Sequence, residues 1–256
     1  MASVFDSEKF TASCFFPRAD RGPPPPGARD LQVAVDGASL HLRLHEQVEG
    51  APTVLFFHGN AEVVSDYDDL AEHYVKQRLN LAVVDFRGYG ASTGSPTLRT
   101  MISDAAAILE AAATQTKRPL IVMGRSLGSA CALELFQRDD PRIAGVILES
   151  GFIDLPGLVR RRSLPPARFS EEDLATFDPR RKVAKGQGPL LIIHGENDRS
   201  ISADEAREAL SLATSPRKHL AIIPGRGHND VSASPEYWQA IAHVWTWPAF
   251  AKPPFA

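Results

Sequence analysis

The sequence predicts one α/β domain: an eight-stranded, mostly parallel sheet with helices on both faces and a small cap inserted late in the chain. Three observations lead there. Apolar runs of four to six residues alternate with stretches of helical length, the rhythm of buried parallel strands covered on both sides. Pro119 to Phe136 reads as a strand, a sharp turn at Gly124-Arg125-Ser126-Leu127-Gly128, and a helix. A length of 256 residues with 43% hydrophobic content supports one large core and is too short for two generous ones.

Taken in order, residues 1–30 are expected to be irregular, with Phe10, Phe15 and Phe16 as local anchors and Pro23 to Pro26 as a stiff polyproline connector. The domain itself is expected over residues 31–256. Leu31 to Val35 and Leu40 to Leu44 alternate around the turn signal Asp36-Gly37, so they form an antiparallel hairpin that opens the sheet. Thr53 to Phe57, Leu81 to Val84, the run before Gly124, Ile143 to Leu148, Pro189 to Ile193 and His219 to Ile223 complete eight strands. Helices fit Asp66 to Gln77, Thr100 to Ala113, the stretch behind Gly128, Asp204 to Leu212 and Pro235 to Trp247. Residues 152–187 carry no strand pattern. They contain Arg160-Arg161-Arg162, Pro165-Pro166 and an acidic helix start at Ser170, and are expected to form a cap that shapes a substrate pocket. The arginine triplet fits a solvated face better than an anion site.

A net charge of −3 gives no electrostatic reason to expect nucleic acid. Cys14 and Cys131 cannot make a disulfide framework, and Cys131 fits a small buried hydrophobe behind the turn. Neither a leader pattern nor a membrane-length apolar run is present, so a cytoplasmic protein without integral membrane association is expected. Oligomeric state is left open.

The turn around Ser126 matters because a serine there projects its hydroxyl from the carboxyl end of a sheet, with glycines on either side letting strand and helix crowd together. Gly90-Ala91-Ser92-Thr93-Gly94 fits the same five-residue pattern, but Ser95-Pro96 follows it and no immediate helix, so it reads as a loop. A serine nucleophile needs a base, an acid that orients the base, and an oxyanion hole. His228, in Pro224-Gly-Arg-Gly-His-Asn-Asp after the last strand, is the base by chain order; His58 and His194 read as structural. Asp198, in the loop after the penultimate strand, is the acid, with Glu149 and Asp230 as rivals. The oxyanion donors are the backbone N–H groups of Leu127 and of Asn60, with Ala61 as the alternative. Asp85 and Arg87 read as braces for their glycine-rich loop.

With these residues assembled, the chain resembles serine hydrolases of the α/β-hydrolase superfamily from about Leu31 to Trp247. The resemblance rests on Phe56-Phe-His-Gly-Asn60, Asp85-Phe-Arg-Gly-Tyr-Gly-Ala-Ser92, Gly124-Arg-Ser-Leu-Gly128, His194-Gly-Glu-Asn-Asp198 and Gly225-Arg-Gly-His-Asn-Asp230 in that order. It is similar to the branch containing protein-depalmitoylating thioesterases and bacterial hydrolases of unassigned substrate. Those depalmitoylating members carry a cysteine-rich lipidated N-terminus; here Cys14 stands alone, which argues against a membrane-bound acyl-protein substrate. The resemblance implies the α/β-hydrolase fold and a Ser126–His228–Asp198 triad acting on a small acyl substrate without metal or organic cofactor. It implies ester cleavage through an acyl-enzyme. Thioesterase or peptidase chemistry on the same triad, and a hydrolase-like receptor without turnover, stay open beside it.

Overall fold

Eight strands form one sheet in the computed structural model, which describes residues 3–116, 118–165 and 168–250. They are β1 (Ala28–Val35), β2 (Ala38–His45), β3 (Thr53–Phe57), β4 (Asn80–Val84), β5 (Leu120–Arg125), β6 (Ile143–Glu149), β7 (Leu190–Gly195) and β8 (Lys218–Ile223). Their order is β1-β2-β4-β3-β5-β6-β7-β8. The hairpin β1–β2 is antiparallel and joins antiparallel to β4; every later neighbour is parallel. This is the fold class that the alternation of apolar runs and helical stretches predicts. Pro166 of the expected cap and residues 251–256 of the expected domain lie outside the described residues.

Strand periodicity explains the layers. Leu55 and Phe57 of β3 and Val122 of β5 enter one core, whereas Val54, Phe56, Ile121 and Met123 enter the other. Successive side chains point to opposite faces, and both faces are covered. The first face carries α1 (Glu8–Cys14), α3 (Leu98–Thr114), α4 (Ser129–Phe136), α5 (Leu155–Arg161), α6 (Glu171–Phe177), α7 (Pro179–Lys185) and α8 (Ala203–Leu212). The second carries α2 (Asp68–Lys76) and α9 (Pro235–Ile241), the latter continuing as a 3-10 segment to Thr246 rather than as the single helix expected to Trp247.

The first thirty residues depart from the irregular expectation. Val4–Asp6 is a 3-10 turn, α1 follows it, and β1 begins at Ala28, three residues early. The Ser7 hydroxyl accepts the Phe10 N–H at the start of α1, and Phe10 and Cys14, four apart, face inward together. Phe5 is fully buried, with ring centroids 5.1 Å from Phe10, 5.3 Å from Phe169 and 4.6 Å from Phe177. Aromatic burial against the β6–β7 insertion thus stabilises a helix too short to persist alone.

That insertion holds α5, α6 and α7 and, as expected, no strand among its described residues. Ser170 and Asp173 cap α6 reciprocally. The arginine triplet ends α5, where positive charge meets the helix carboxyl terminus.

Candidate active site

Ser126 stands where β5 passes through a single 3-10 turn (Ser126–Gly128) into α4, with φ of 49°. A residue with a Cβ pays for this left-handed backbone, so packing must hold it there. The packing is close: a Cβ on Gly128 would fall on the Phe57 carbonyl, and one on Gly124 would fall on the Gly128 carbonyl. The other match to the pattern is a loop tied to its surroundings. The Ser92 hydroxyl donates to the Asp85 carbonyl and accepts the His41 N–H, each at 2.8 Å.

His228 arrives on the loop after β8 and Asp198 on the loop after β7, and these strands are neighbours. His228 Nδ1 lies 2.7 Å from Asp198 Oδ2, and His228 Nε2 lies 2.9 Å from Ser126 Oγ. Asp198 Oδ1 accepts the N–H groups of Ser200 and Ile201 at 2.8 and 2.9 Å. The fully buried His194 sits behind, its Nε2 3.1 Å from Asp198 Oδ2 and 2.9 Å from the Ile201 carbonyl. Burial alone would raise the Asp198 pKa. Hydrogen bonds from His194, His228 and the Ile201 N–H outweigh it and hold the carboxyl well below the usual carboxylate range.

The rival acids go elsewhere. Glu149 accepts Arg125 Nε at 3.0 Å and the Tyr237 hydroxyl at 2.7 Å, with burial pushing its carboxyl up. Asp230 accepts the Gly227 N–H at 2.6 Å and stays within its own loop.

Asn60 and Leu127 line the same cavity as Ser126 and His228. Among the described residues the Asn60 N–H donates to no protein acceptor, whereas the Ala61 N–H is taken by Asn60 Oδ1 at 3.0 Å. The Asn60 side chain fastens the loop from behind. Its Oδ1 accepts the Tyr89 hydroxyl at 2.7 Å and the Phe16 N–H at 3.0 Å, and its Nδ2 donates to the Cys14 carbonyl at 2.8 Å. The N-terminal segment therefore braces the loop that carries the Asn60 N–H.

One group escaped the sequence reading. Arg125, between Gly124 and Ser126, is buried and bonds two loops and the end of β6 at once. Its Nη1 bonds Glu62, its Nε bonds Glu149, and its Nη2 donates to the His228 carbonyl at 3.2 Å and to Asn229 Oδ1 at 2.7 Å. Glu62 in turn accepts the Gly59 N–H at 2.6 Å and the Tyr67 hydroxyl at 2.5 Å. A charged residue inside an otherwise small and apolar turn was the available signal. Arg87, expected to brace its loop, does so through a two-pronged contact with Asp104 at 2.7 Å, while Asp85 serves His41 and the Val64 N–H instead.

The cavity in front of Ser126 measures about 470 Å³. Phe152, Leu158 and Ile201 give it an apolar wall, and Arg161, Arg162, Arg199 and Ser200 a polar one. Among the described residues no cluster of His, Cys, Asp and Glu could hold a metal ion, and no helix is long and apolar enough to cross a membrane.

The chain is similar to known proteins in sequence and in fold. A family profile described as serine aminopeptidase, S33, matches residues 49–175. The protein bem46 of Schizosaccharomyces pombe is 30% identical over 207 residues, covering 77% of this chain and 68% of its own. The uncharacterized protein Rv2307c of Mycobacterium tuberculosis is 30% identical over 230 residues, covering 84% and 79%. Among solved structures, the esterase Pf2001 of Pyrococcus furiosus superposes with a TM-score of 0.72 at 20% identity, over 90% of this chain and 98% of its own. At that identity the likeness speaks to the fold.

Proposed function

The chain belongs to the α/β-hydrolase superfamily, and from that premise we propose that it is a serine hydrolase that cleaves a carboxylic ester through an acyl-enzyme. The observation that carries this reading is the continuous hydrogen-bonded line Asp198–His228–Ser126, with steps of 2.7 and 2.9 Å, opening onto a cavity. A carboxylate at Nδ1 favours the tautomer that keeps its proton there, which leaves the Nε2 lone pair facing the Ser126 hydroxyl.

Ser126 Oγ attacks the ester carbonyl carbon as its proton passes to His228 Nε2. The carbonyl oxygen becomes an oxyanion, stabilised by the N–H groups of Leu127 and Asn60. Collapse of the tetrahedral adduct breaks the bond to the alkoxy oxygen, which takes the proton from His228 and leaves as the alcohol. Water then gives a proton to His228 and its oxygen to the acyl carbon. The acid departs and the proton returns to Ser126. Residues 152–187 act as a cap in this reading, because Phe152, Leu158, Arg161 and Arg162 form part of the cavity wall.

Amide cleavage is the second reading, favoured by the serine aminopeptidase description of the matching family. A substrate α-ammonium needs a free carboxylate, and the one acidic residue on the wall, Glu62, is already bound to Arg125, Tyr67 and the Gly59 N–H. The lining therefore supports the ester reading over aminopeptidase action. The test is stopped-flow hydrolysis of p-nitrophenyl butyrate beside the p-nitroanilide of leucine. A nitrophenol burst equal to enzyme concentration, absent in Ser126→Ala, is expected. Turnover of the anilide alone would transfer the assignment to peptidase chemistry.

A further inference from the structure

Charge on the cavity wall is unbalanced. Four arginines line it, Arg125, Arg161, Arg162 and Arg199, against the single acid Glu62. Arg125 is neutralised by Glu62 and Glu149, and Arg161 by Glu205 at 2.7 Å. Arg162 and Arg199 meet no carboxylate among the described residues. Arg199 comes from the loop that carries Asp198 and lines the same cavity.

Arg162 is the more telling of the two. The triplet expected to be a solvated face divides its work: Arg160 pairs with Asp154 on the outside, Arg161 with Glu205, and Arg162 turns inward beside the buried Cys14. Its Nε is buried and has no hydrogen-bond partner. The neighbours do not supply the missing charge. Burial pushes the Cys14 thiol up to about 11 despite Arg162, and lifts the Tyr89 hydroxyl to about 12. A half-buried guanidinium facing a cavity, with no anion beside it, is unfavourable until an anion arrives. The planar fork of arginine suits carboxylate and phosphate oxygens, and a cleft concentrates the field of two such charges.

We propose that the cavity takes acyl esters bearing an anionic group, a carboxylate or a phosphate, which Arg162 from the cap and Arg199 from the acid loop hold between them while the carbonyl reaches Ser126. This deepens the esterase reading and rests on it. The apolar wall of Phe152, Leu158 and Ile201 accommodates the carbon chain between carbonyl and anion.

The experiment compares 4-nitrophenyl butyrate with 4-nitrophenyl hemisuccinate, similar in length and different in charge. The ratio of kcat/KM for the anionic over the neutral ester is expected to fall about tenfold in Arg162→Gln and in Arg199→Gln, the scale of one charge-assisted hydrogen bond. Arg162→Lys should recover part of it, and Arg207→Gln, an exposed arginine paired with Asp204 on α8, should leave the ratio unchanged. A ratio indifferent to both Arg162→Gln and Arg199→Gln overturns the proposal, even if butyrate turnover drops in a poorly folded variant. Competition by succinate supports carboxylate recognition and competition by inorganic phosphate supports phosphate; competition by neither counts against both. If the wild-type protein hydrolyses neither ester, the esterase reading fails by itself. Calorimetric binding of succinate or phosphate to the full chain, weakened about tenfold in the two glutamine variants, then sustains the anion site, and lack of binding ends it.

Discussion

Asp198 is held by two backbone N–H groups and faced by two imidazoles, more than an orienting carboxylate strictly requires. In the proposed triad the consequence is a fixed anion, charged wherever His228 acts as a base and holding His228 in one tautomer. On the proposed ester chemistry, Asp198→Asn should therefore lower kcat by roughly three to four orders of magnitude while KM changes little, measured by hydrolysis of p-nitrophenyl butyrate. Arg125 acts at one remove. It touches no reacting atom, yet it ties the His228 carbonyl to the turn carrying Ser126 and, through Glu62, to the loop carrying Asn60. Arg125→Met should reduce kcat by about 10- to 100-fold through misplacement of these groups, and should cost about 3–5 kcal/mol by stranding buried carboxylates. Adding Glu149→Gln should restore part of the stability and none of the turnover; recovery of turnover with stability would reduce Arg125 to a structural residue. Ser126, His228 and Asp198 were visible in the sequence because each follows a strand in a short glycine-rich or acidic loop. Arg125 was not, since a pattern that scores glycine and serine treats the residue between them as free, and its partners lie 63 positions before it and 24, 103 and 104 after it.

Strands and their order of chemistry were legible because buried parallel strands are continuous apolar runs, and the boundaries of β3 agree with the run itself. Short helices were not. In α1, two inward residues four apart carry no periodicity separable from chance, and the Phe5 ring against which Phe10 packs is held by Phe169 and Phe177, more than 150 positions away. Phe5→Ala, which empties a fully buried aromatic site between α1 and the insertion, should cost about 3–5 kcal/mol in chemical denaturation. The β2–β4 junction gives a pH dependence. Burial opposes the charge on Asp85, but hydrogen bonds from His41 and the Val64 N–H, with the His58 imidazole 3.6 Å away, prevail and bring its pKa down to about 2. A folded value below the unfolded one means that the unfolded chain binds the proton first. This contribution is complete above about pH 4 and is lost as pH falls through 2. Urea denaturation at pH 5, 4, 3 and 2 should show a loss that is shallower in Asp85→Asn, whose stability at pH 5 is already reduced. A loss equally steep in both proteins would remove Asp85 from the account.

Across the whole molecule, one sheet delivers four loops to one end: the Asn60 loop after β3, the Ser126 turn after β5, the Asp198 loop after β7 and the His228 loop after β8. Open parallel sheets place their sites there, and the order of loops was legible from motif order alone. What the cavity admits was not legible, because Arg162 and Arg199 are 37 positions apart and only the fold brings both to one wall. Ester, thioester and amide substrates with a common acyl group should separate by leaving group, with the burst persisting for ester and thioester. The central claim is that Ser126, and not the serine of the similar Gly90–Gly94 loop, is the nucleophile. Peptide mass spectrometry after fluorophosphonate labelling tests it most directly. The expected result is one adduct, on Ser126, lost in Ser126→Ala and slowed in His228→Ala; an adduct on Ser92, or labelling that survives Ser126→Ala, would contradict it.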